Sequence, residues 1–360
     1  MIARGTLVSS PGGDTIQVQA TAEYIMRSGV QVDVYCGQGV IDYSKYDILH
    51  FFNIIRPDDI LPHILKSKLP FVVSTIFVDY SEYDKLKNGL QGLLFKFLDS
   101  DKIEYIKSLA RFLKNGDRIK SFQYLKWGHR RSVQYIALRA NLLLPNSKNE
   151  YLRFKDKYNL DVAHRVVVNA IDKNIFNIDV EKAEIFNDHV LCVGRIEGRK
   201  NQLNLIKALI NTDLKLTIIG KPSPNHLDYY EECMNLVQNC TNIQIMEHVE
   251  HSKLVSIYKA ARVHVLPSWF ETTGLSSLEA GLMGCNIVVT KKGDTEEYFG
   301  DYAYYCEPGD LLSIRQAVLN AYESPVNEGL RAYILENFTW EKTAEQTFSA
   351  YEYVLGQNSV

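Results

Sequence analysis

Between residues 190 and 290 the chain alternates short apolar runs with segments of helical period, and this alternation restricts the fold more than any other feature. Strands are expected at 190–193, 214–219, 243–246, 263–266 and 287–290, and helices at about 201–210, 226–239, 253–260 and 276–284. Apolar runs bounded by loops suit strands buried on both faces. Strand and helix in strict alternation give a parallel, doubly wound sheet, whose ligands sit at the carboxyl ends of the strands.

One strand–loop–helix–strand unit of this region, from Pro267 to Thr290, carries chemistry. A helix is expected to begin near Gly274–Ser276 and to stop at Gly284, a glycine suited to the position after a helix end. A helix start offers unpaired N–H groups and partial positive charge, a natural seat for phosphate, and Gly274 lets backbone approach closely. Glu271 before the helix and Glu279 within it frame the place. On spacing alone, an ordinary loop with two solvated glutamates is the simpler reading. A second stretch, from Val193 to Gln202, also leaves a strand and opens a helix, with Arg195 and Lys200 across a glycine-bearing turn. A guanidinium fork and a mobile ammonium both suit a diphosphate, although a solvated basic turn is the commoner fate of such residues. Both loops follow strand ends of one sheet, so they converge on one crevice.

The first half reads as a strand at 6–10, the turn Pro11-Gly12-Gly13-Asp14, a helix and a strand at 30–35, which make a βαβ unit. The turn is not GxGxxG, so a dinucleotide fingerprint is unsupported; a tight turn and a close approach of Gly12-Gly13 to a ligand fit equally well. Further strands are expected at 47–52, 70–74, 142–145 and 165–168, with helices at 58–66 and 81–98 and more helix between 102 and 139. Ser147-x-x-Glu150 reads as a capping box. The hinge falls at Asn169–Asp172, giving domains at 1–170 and 171–338. After the fifth strand of the second half, helices are expected to the C-terminus. Thr339 caps the last of them, which reaches about Leu355 with Phe348, Tyr351 and Val354 in its buried stripe; residues 339–360 are expected to pack back on the first domain.

A chain of 360 residues exceeds one ordinary core, in keeping with two domains. Its 46% hydrophobic and 23% charged residues are those of a soluble globular protein. Six scattered cysteines without a CxxC pair argue for reduced thiols in a cytoplasmic setting rather than a disulfide scaffold or a zinc site. No signal-peptide core and no run of membrane-spanning length is evident. The net charge of −3 offers no basic footprint for nucleic acid.

Arg195, Lys200 and the Glu271-x7-Glu279 pair, in this order and setting, resemble the retaining glycosyltransferases of family 4 (glycosyl transferases group 1). Shorter matches run along nearly the whole chain: Gly12-Gly13, Leu144-Pro145-Asn146-Ser147, Asn169-Ala170-Ile171-Asp172, Ile219-Gly220, Glu296 with Tyr298-Phe299-Gly300, and Phe338-Thr339-Trp340-Glu341. The resemblance implies the GT-B fold, two Rossmann-like domains facing across a cleft. It implies an enzyme moving a sugar from a nucleoside diphosphate sugar, UDP favoured over GDP, to a glycan or lipid-linked glycan, in surface polysaccharide or glycoconjugate synthesis. Arg195 and Lys200 would bind the diphosphate and stabilise the leaving group. Glu279 would hold the ribose hydroxyls, and Glu271 the donor sugar. The N–H groups of Thr273–Leu275 would hold sugar and phosphate, with Thr272 beside them. The base would lie near Gly220 and His248–Val249 with Leu254 beneath, and Gly13 would close over the phosphates. Transfer would proceed with retention by front-face attack, without a protein base, a metal or a further cofactor.

One departure stands out. Many relatives carry a histidine just after the strand ending Val72-Val73-Ser74-Thr75, where this chain reads Ile76-Phe77-Val78-Asp79-Tyr80. Asp79 either replaces that group near the acceptor or caps the helix at Ser81. The literal DxD at Asp99-Ser100-Asp101 reads as cap and turn chemistry, far in sequence from the phosphate turn. An epimerase or hydrolase on the same fold would lack this Arg-x4-Lys and Glu-x7-Glu set, and a non-catalytic sugar-nucleotide-binding partner would have no reason to keep all four charges. Residues 85–131 hold twelve Lys/Arg against four Asp/Glu, about +8, interleaved with large apolar side chains. Three readings suit this: peripheral docking on an anionic inner membrane face, a solvated basic face, or a pocket for an anionic acceptor.

Overall fold

The computed structural model describes residues 1–7, 12–37, 39–86, 99–115 and 120–357. The chain divides into two compact units: residues Met1–Asn169 with Trp340–Val360, and residues Ala170–Thr339.

The first unit centres on a parallel sheet of β1 (Leu49–Phe52), β2 (Phe71–Ser74) and β3 (Leu142–Leu144), in that order. Every residue of these strands is buried; all are apolar but His50 and Ser74, which pair with each other at 2.9 Å. The sheet is extended by single bridges. Ile2 pairs with both Tyr35 and Phe51, and Leu143 pairs with His164. The first strand was expected at 6–10. The extended segment lies instead around Ile2; Thr6 and Leu7 form a turn, and residues 8–11 lie outside the described set. The strand expected at 30–35 is reduced to the Tyr35 bridge.

Around this sheet run α1 (Gly13–Met26), α2 (Pro57–Lys66), α3 (Ser81–Leu86), α4 (Ser100–Asn115), α5 (Phe122–Arg139) and α6 (Lys148–Tyr158). The helix expected over 81–98 is described only to Leu86. In α5, Gly128 sits at φ 73° and kinks the helix. Ser147 caps α6, accepting from the Glu150 N–H at 2.8 Å. The Glu150 carboxylate is fully buried and accepts from Asn146 N–H at 2.8 Å and Phe77 N–H at 2.7 Å, and from the Thr75 hydroxyl. It thereby holds both sides of Ile76, which lies at φ 44°, an unusual place for a β-branched residue. The last helix of the chain, α14 (Trp340–Gln357), belongs to this unit: Tyr351 and Val354 join a core with Ile25, Val72 and Leu144, and the Tyr351 hydroxyl meets His50 Nδ1 at 2.7 Å.

The second unit is a six-stranded parallel sheet in the order β6-β5-β4-β7-β8-β9. The strands are β4 (Val190–Val193), β5 (Leu216–Ile219), β6 (Ile243–Met246), β7 (Val263–Leu266), β8 (Asn286–Thr290) and β9 (Ala303–Cys306). Between them lie α7 (Gln202–Leu209), α8 (Leu227–Val237), α9 (His251–Ala260), α10 (Leu275–Leu282) and α11 (Thr295–Phe299), followed by α12 (Leu311–Glu323) and α13 (Glu328–Asn337). Strand β9 corrects the expectation of helix alone beyond β8. Ala-Tyr-Tyr-Cys is short and half-exposed at the sheet edge, so it lacks the apolar run that marks the inner strands. Counted within the unit, the order is third, second, first, fourth, fifth, sixth, that of a dinucleotide-binding fold, which reverses between β4 and β7.

Candidate active site

The reversal point is where the two charged loops meet. β4 and β7 are in register only at Val190–Val263 and Leu191–His264, their first two residues, so the strands part toward their carboxyl ends. The turn carrying Arg195 and Lys200 leaves β4, and the loop carrying Glu271 leaves β7.

The β4 turn is seated on glycine. A Cβ built on Gly220 would lie 1.8 Å from the Gly194 carbonyl oxygen, so Gly220 lets the chain after β5 run flush against this turn. Glu197 is buried beneath the turn, accepting from Arg199 through both oxygens at 3.1 Å, with Arg195 at 3.8 Å. Burial alone would push the Glu197 carboxyl up; Arg199 and Arg195 outweigh it and hold it below its usual range. Lys200 closes a single 3-10 turn, Gly198–Lys200. Asn201 follows at φ 63°, and its amide donates to the carbonyls of Pro267 at 2.9 Å and Pro308 at 2.7 Å, stapling this turn to the β7 loop. Gln202 donates to the Arg195 carbonyl at 2.9 Å.

Lys200 Nζ lies 2.6 Å from Glu271 Oε2, which also accepts from the Ser268 hydroxyl at 3.1 Å. The structure therefore brings together two groups 71 residues apart. The Glu271 backbone is fixed in turn: its N–H donates to Lys292 and its carbonyl accepts from Asp294, both at 2.9 Å. Gly293, at φ 115°, makes that docking possible, because a Cβ there would stand 1.9 Å from the Glu271 oxygen. Gly274 caps α10 in the left-handed region at φ 69°, with no side-chain cap; its carbonyl takes the Ser277 N–H at 2.8 Å, which leaves the N–H groups of Leu275 and Ser276 without a partner inside the helix. At the other end, Gly284 N–H donates to Gly281 and Cys285 N–H to Ala280, the paired bonds of a left-handed glycine stop. Thr272 and Leu275 are half-buried. Thr273 is buried, and its hydroxyl has no hydrogen-bond partner.

Glu279, one turn further along α10, is 8% exposed. One oxygen lies 3.1 Å from His251 Nε2, and the other accepts from the buried Tyr258 hydroxyl at 3.2 Å. Two bonds use about half of a carboxylate's acceptor sites, which leaves capacity for a diol. Val249, half-buried, stands just before α9, and Leu254 is buried within α9. Under the site, His264 of β7 is fully buried. Its Nδ1 meets Ser277 Oγ at 3.2 Å and its Nε2 has no partner. Burial, with the Lys200 charge added, pushes the imidazole down to about 3, so it is neutral at ordinary pH.

The remaining candidates lie in the first unit. Gly13 is the first residue of α1 and faces open space. Asp79 is half-buried and stands one residue before Tyr80, whose carbonyl accepts from Asp84 N–H at 2.9 Å to start α3; the capping place is therefore Tyr80's. In the Asp-Ser-Asp stretch, Asp99 accepts from Asp101 N–H at 3.4 Å. Asp101 is buried against Arg130 at 3.1 Å, Lys157 at 3.6 Å and the Tyr158 hydroxyl at 3.2 Å. Among the described residues, no group of three His, Cys, Asp or Glu could hold a metal, and no helix is long and apolar enough to cross a membrane.

Sequence reasoning missed His251, Tyr258, Glu197, Asn201 and Gly293. The first two had a signal: seven apart, they fall on one face of a helix that itself precedes the β7 loop. The others act through backbone geometry or burial that spacing does not encode.

Comparison with known proteins places a family model on the second unit. Residues 178–338 match the glycosyl transferases group 1 model. The chain is 23% identical to a D-inositol 3-phosphate glycosyltransferase of Arthrobacter sp., over 96% of this chain and 91% of that protein. It is 28% identical to the O-antigen chain mannosyltransferase B of Escherichia coli, over 46% and 45%. Among solved structures it resembles sucrose-phosphate synthase of Thermosynechococcus elongatus, with a TM-score of 0.75 at 15% identity over 99% of both chains. It also resembles Anabaena HepE in complex with UDP and glucose, with a TM-score of 0.69 at 13% identity over 98% of this chain and 99% of that one. The fold is GT-B, two Rossmann-like domains, and the second of them carries, over residues 178–338, a glycosyl transferases group 1 domain.

Proposed function

We propose that this protein transfers a sugar from a nucleoside diphosphate sugar, a UDP-sugar before a GDP-sugar, to a glycan or lipid-linked glycan acceptor. Transfer retains the donor's anomeric configuration and uses no metal. The observation that carries this reading is the meeting of Lys200 and Glu271 at 2.6 Å where the sheet order reverses, beside the bare first turn of α10. Three cations (Arg195, Arg199, Lys200) against two carboxylates (Glu197, Glu271) leave a local charge of about +1, to which the helix start adds about half a charge. That field suits a diphosphate, whose negative charge grows as the sugar departs. The groups are held before the donor arrives, so little reorganisation is needed when charge develops. Glu271 orients Lys200 and faces the donor sugar, Glu279 takes the ribose hydroxyls, and Thr272–Leu275 line the sugar and phosphate. Val249, Leu254 and Gly220 form the surroundings of the base. For Gly13 and Asp79, both of the first unit, the roles at the phosphates and at the acceptor are carried by the sequence resemblance alone.

The acceptor reading rests on the basic segment 85–131, by which the protein docks on the inner face of an anionic membrane. Lys107, Lys120 and Arg130 are paired with Asp84, Asp59 and Asp101, which lowers the effective charge. Lys126 stays exposed beside Phe122, 75% exposed, and Leu125, a face of α5 suited to lipid. Residues 87–98 and 116–119, which include Arg118, lie outside the described set.

Purified protein incubated with UDP-glucose, GDP-mannose and ADP-glucose and a lipid-linked glycan extract tests the reaction. Sugar transfer that survives EDTA and gives a linkage of the donor's own anomeric configuration by NMR is expected. Inversion, or activity lost to EDTA and restored by Mn²⁺, would overturn the mechanism. Sedimentation with anionic liposomes at low salt, reversed at high salt, tests the docking.

A further inference from the structure

The Glu279 carboxylate does not stand alone. Tyr258 is fully buried with its hydroxyl on one Glu279 oxygen at 3.2 Å, and His251 Nε2 lies on the other at 3.1 Å. The two donors come from one face of α9, two turns apart, and grip a carboxylate from α10. His251 is braced from its other side: the buried Phe176 ring meets it edge-on at 5.1 Å. The carboxylate plane is therefore fixed by three elements: α9, α10 and the segment holding Phe176. Roughly half of the His251 side chain remains exposed, so this clamp borders the open site and is not wholly interior.

A carboxylate accepting from two vicinal hydroxyls must present its remaining lone pairs in one plane. A free glutamate side chain loses rotamer entropy on adopting that plane, whereas a clamped one has already lost it. We propose that His251 and Tyr258 are positioning residues that hold Glu279 in the orientation needed for the ribose diol of a nucleoside diphosphate sugar, and that His251 sets the pH response of donor binding. This rests on the donor reading above.

The charges facing His251 are the Glu279 carboxylate from α10 and the Asp172 carboxylate from the segment before Phe176; both are negative, and the hydrogen bond to Glu279 is the larger influence keeping the imidazole protonated to higher pH than usual. The ring donates through Nε2 to Glu279 in either protonation state, so orientation persists across neutrality. What is lost as pH rises is one positive charge at the edge of a site that binds a dianion. Donor affinity accordingly falls as pH rises through the His251 titration.

The experiment is calorimetric titration of the full chain with UDP-glucose, GDP-mannose or ADP-glucose, whichever binds tightest. The diphosphate of such a diester has no group titrating near neutrality, so a step in affinity with pH belongs to the protein. Wild type should show the step. His251→Gln should lose it while keeping part of the affinity, because an amide still donates to Glu279. His251→Ala and Tyr258→Phe should each weaken binding about tenfold, with KM raised and kcat within about twofold of wild type. Tyr258→Phe should keep the wild-type step. His251 is half-exposed, so its variants test the idea even if Tyr258→Phe fails to fold. If His251→Ala and Tyr258→Phe bind as wild type does while Glu279→Ala is weakened, the clamp is overturned and the ribose site stands. If Glu279→Ala also binds normally, or if no donor binds wild type, the donor reading itself is overturned.

Discussion

Arg195 and Lys200 look equivalent as two cations of one turn, and their surroundings separate them. The Arg195 side chain is 45% exposed and only 3.8 Å from Glu197, which Arg199 already holds. Arg195→Ala should therefore lower kcat/KM by about 10²–10³, the usual loss for a donor aimed at developing charge, with little change in melting temperature. Lys200→Ala should lower turnover and also cost stability, because it strands the Glu271 carboxylate, 8% exposed, without its 2.6 Å partner. Unchanged turnover in folded Arg195→Ala would remove that guanidinium from the leaving-group role. Glu279→Ala should weaken free nucleotide by about 1.5–3 kcal/mol, the worth of hydrogen bonds to a charged acceptor. These four charged residues stood out in the sequence through the ordered set that resembles a known family, since spacing alone favours solvated side chains at both loops. Glu197, His264 and Tyr258 were not, because a buried carboxylate, imidazole or phenol is indistinguishable in sequence from an exposed one. Their meaning comes from partners 2 to 21 residues away.

At the scale of elements, the second unit was readable to within a few residues because its inner strands are buried on both faces and its helices are periodic. The failures share a cause. Both segments are too short for a periodic signal: the extended stretch at Ile2 is three apolar residues between Tyr35 and Phe51, and β9 is four half-exposed residues at the sheet edge. The loops, by contrast, depend on glycines whose reasons differ, and substitution distinguishes them. Gly293→Ala meets both a left-handed φ and a carbonyl at 1.9 Å, so it should dislodge the Glu271 loop. Loss of donor affinity together with a lower melting temperature is expected, and wild-type values for both would show that the loop is not held there. Gly220→Ala should behave similarly through Gly194. Gly13→Ala is the contrast. Its Cβ meets nothing within 4 Å and the position is helical, so stability should hold or rise slightly. Reduced turnover in that stable variant would support close approach of phosphate at Gly13, and normal turnover would remove the glycine from the site.

For the whole molecule the two units share one electrostatic liability, buried neutral histidine. Burial pushes His63 down to about 4 and His50 well below its ordinary value in the first unit, and pushes His264 down to about 3 in the second. In the unfolded chain each titrates near about 6.5. As pH falls below that value the unfolded chain takes up protons that the fold refuses, so stability contributed by these groups is complete above about pH 6.5 and drains away toward the folded values. His251 has the opposite sign: its raised value gives stability present below about pH 6.5 and lost as pH rises past its folded titration. His189 of the second unit is lowered by burial as well, so four depressed imidazoles against one raised make the net slope positive, and several kcal/mol can be lost between about pH 7 and about pH 5. Thermal scans over that range should show the melting temperature falling with pH. His264→Phe should flatten the fall, since phenylalanine fills the site without a proton to bind. A nucleotide sugar should raise the melting temperature at fixed pH by mass action. A melting temperature independent of pH across this window would mean that these imidazoles are not neutral in the fold, and the account of His264 as an uncharged support beneath Lys200 would fall with it.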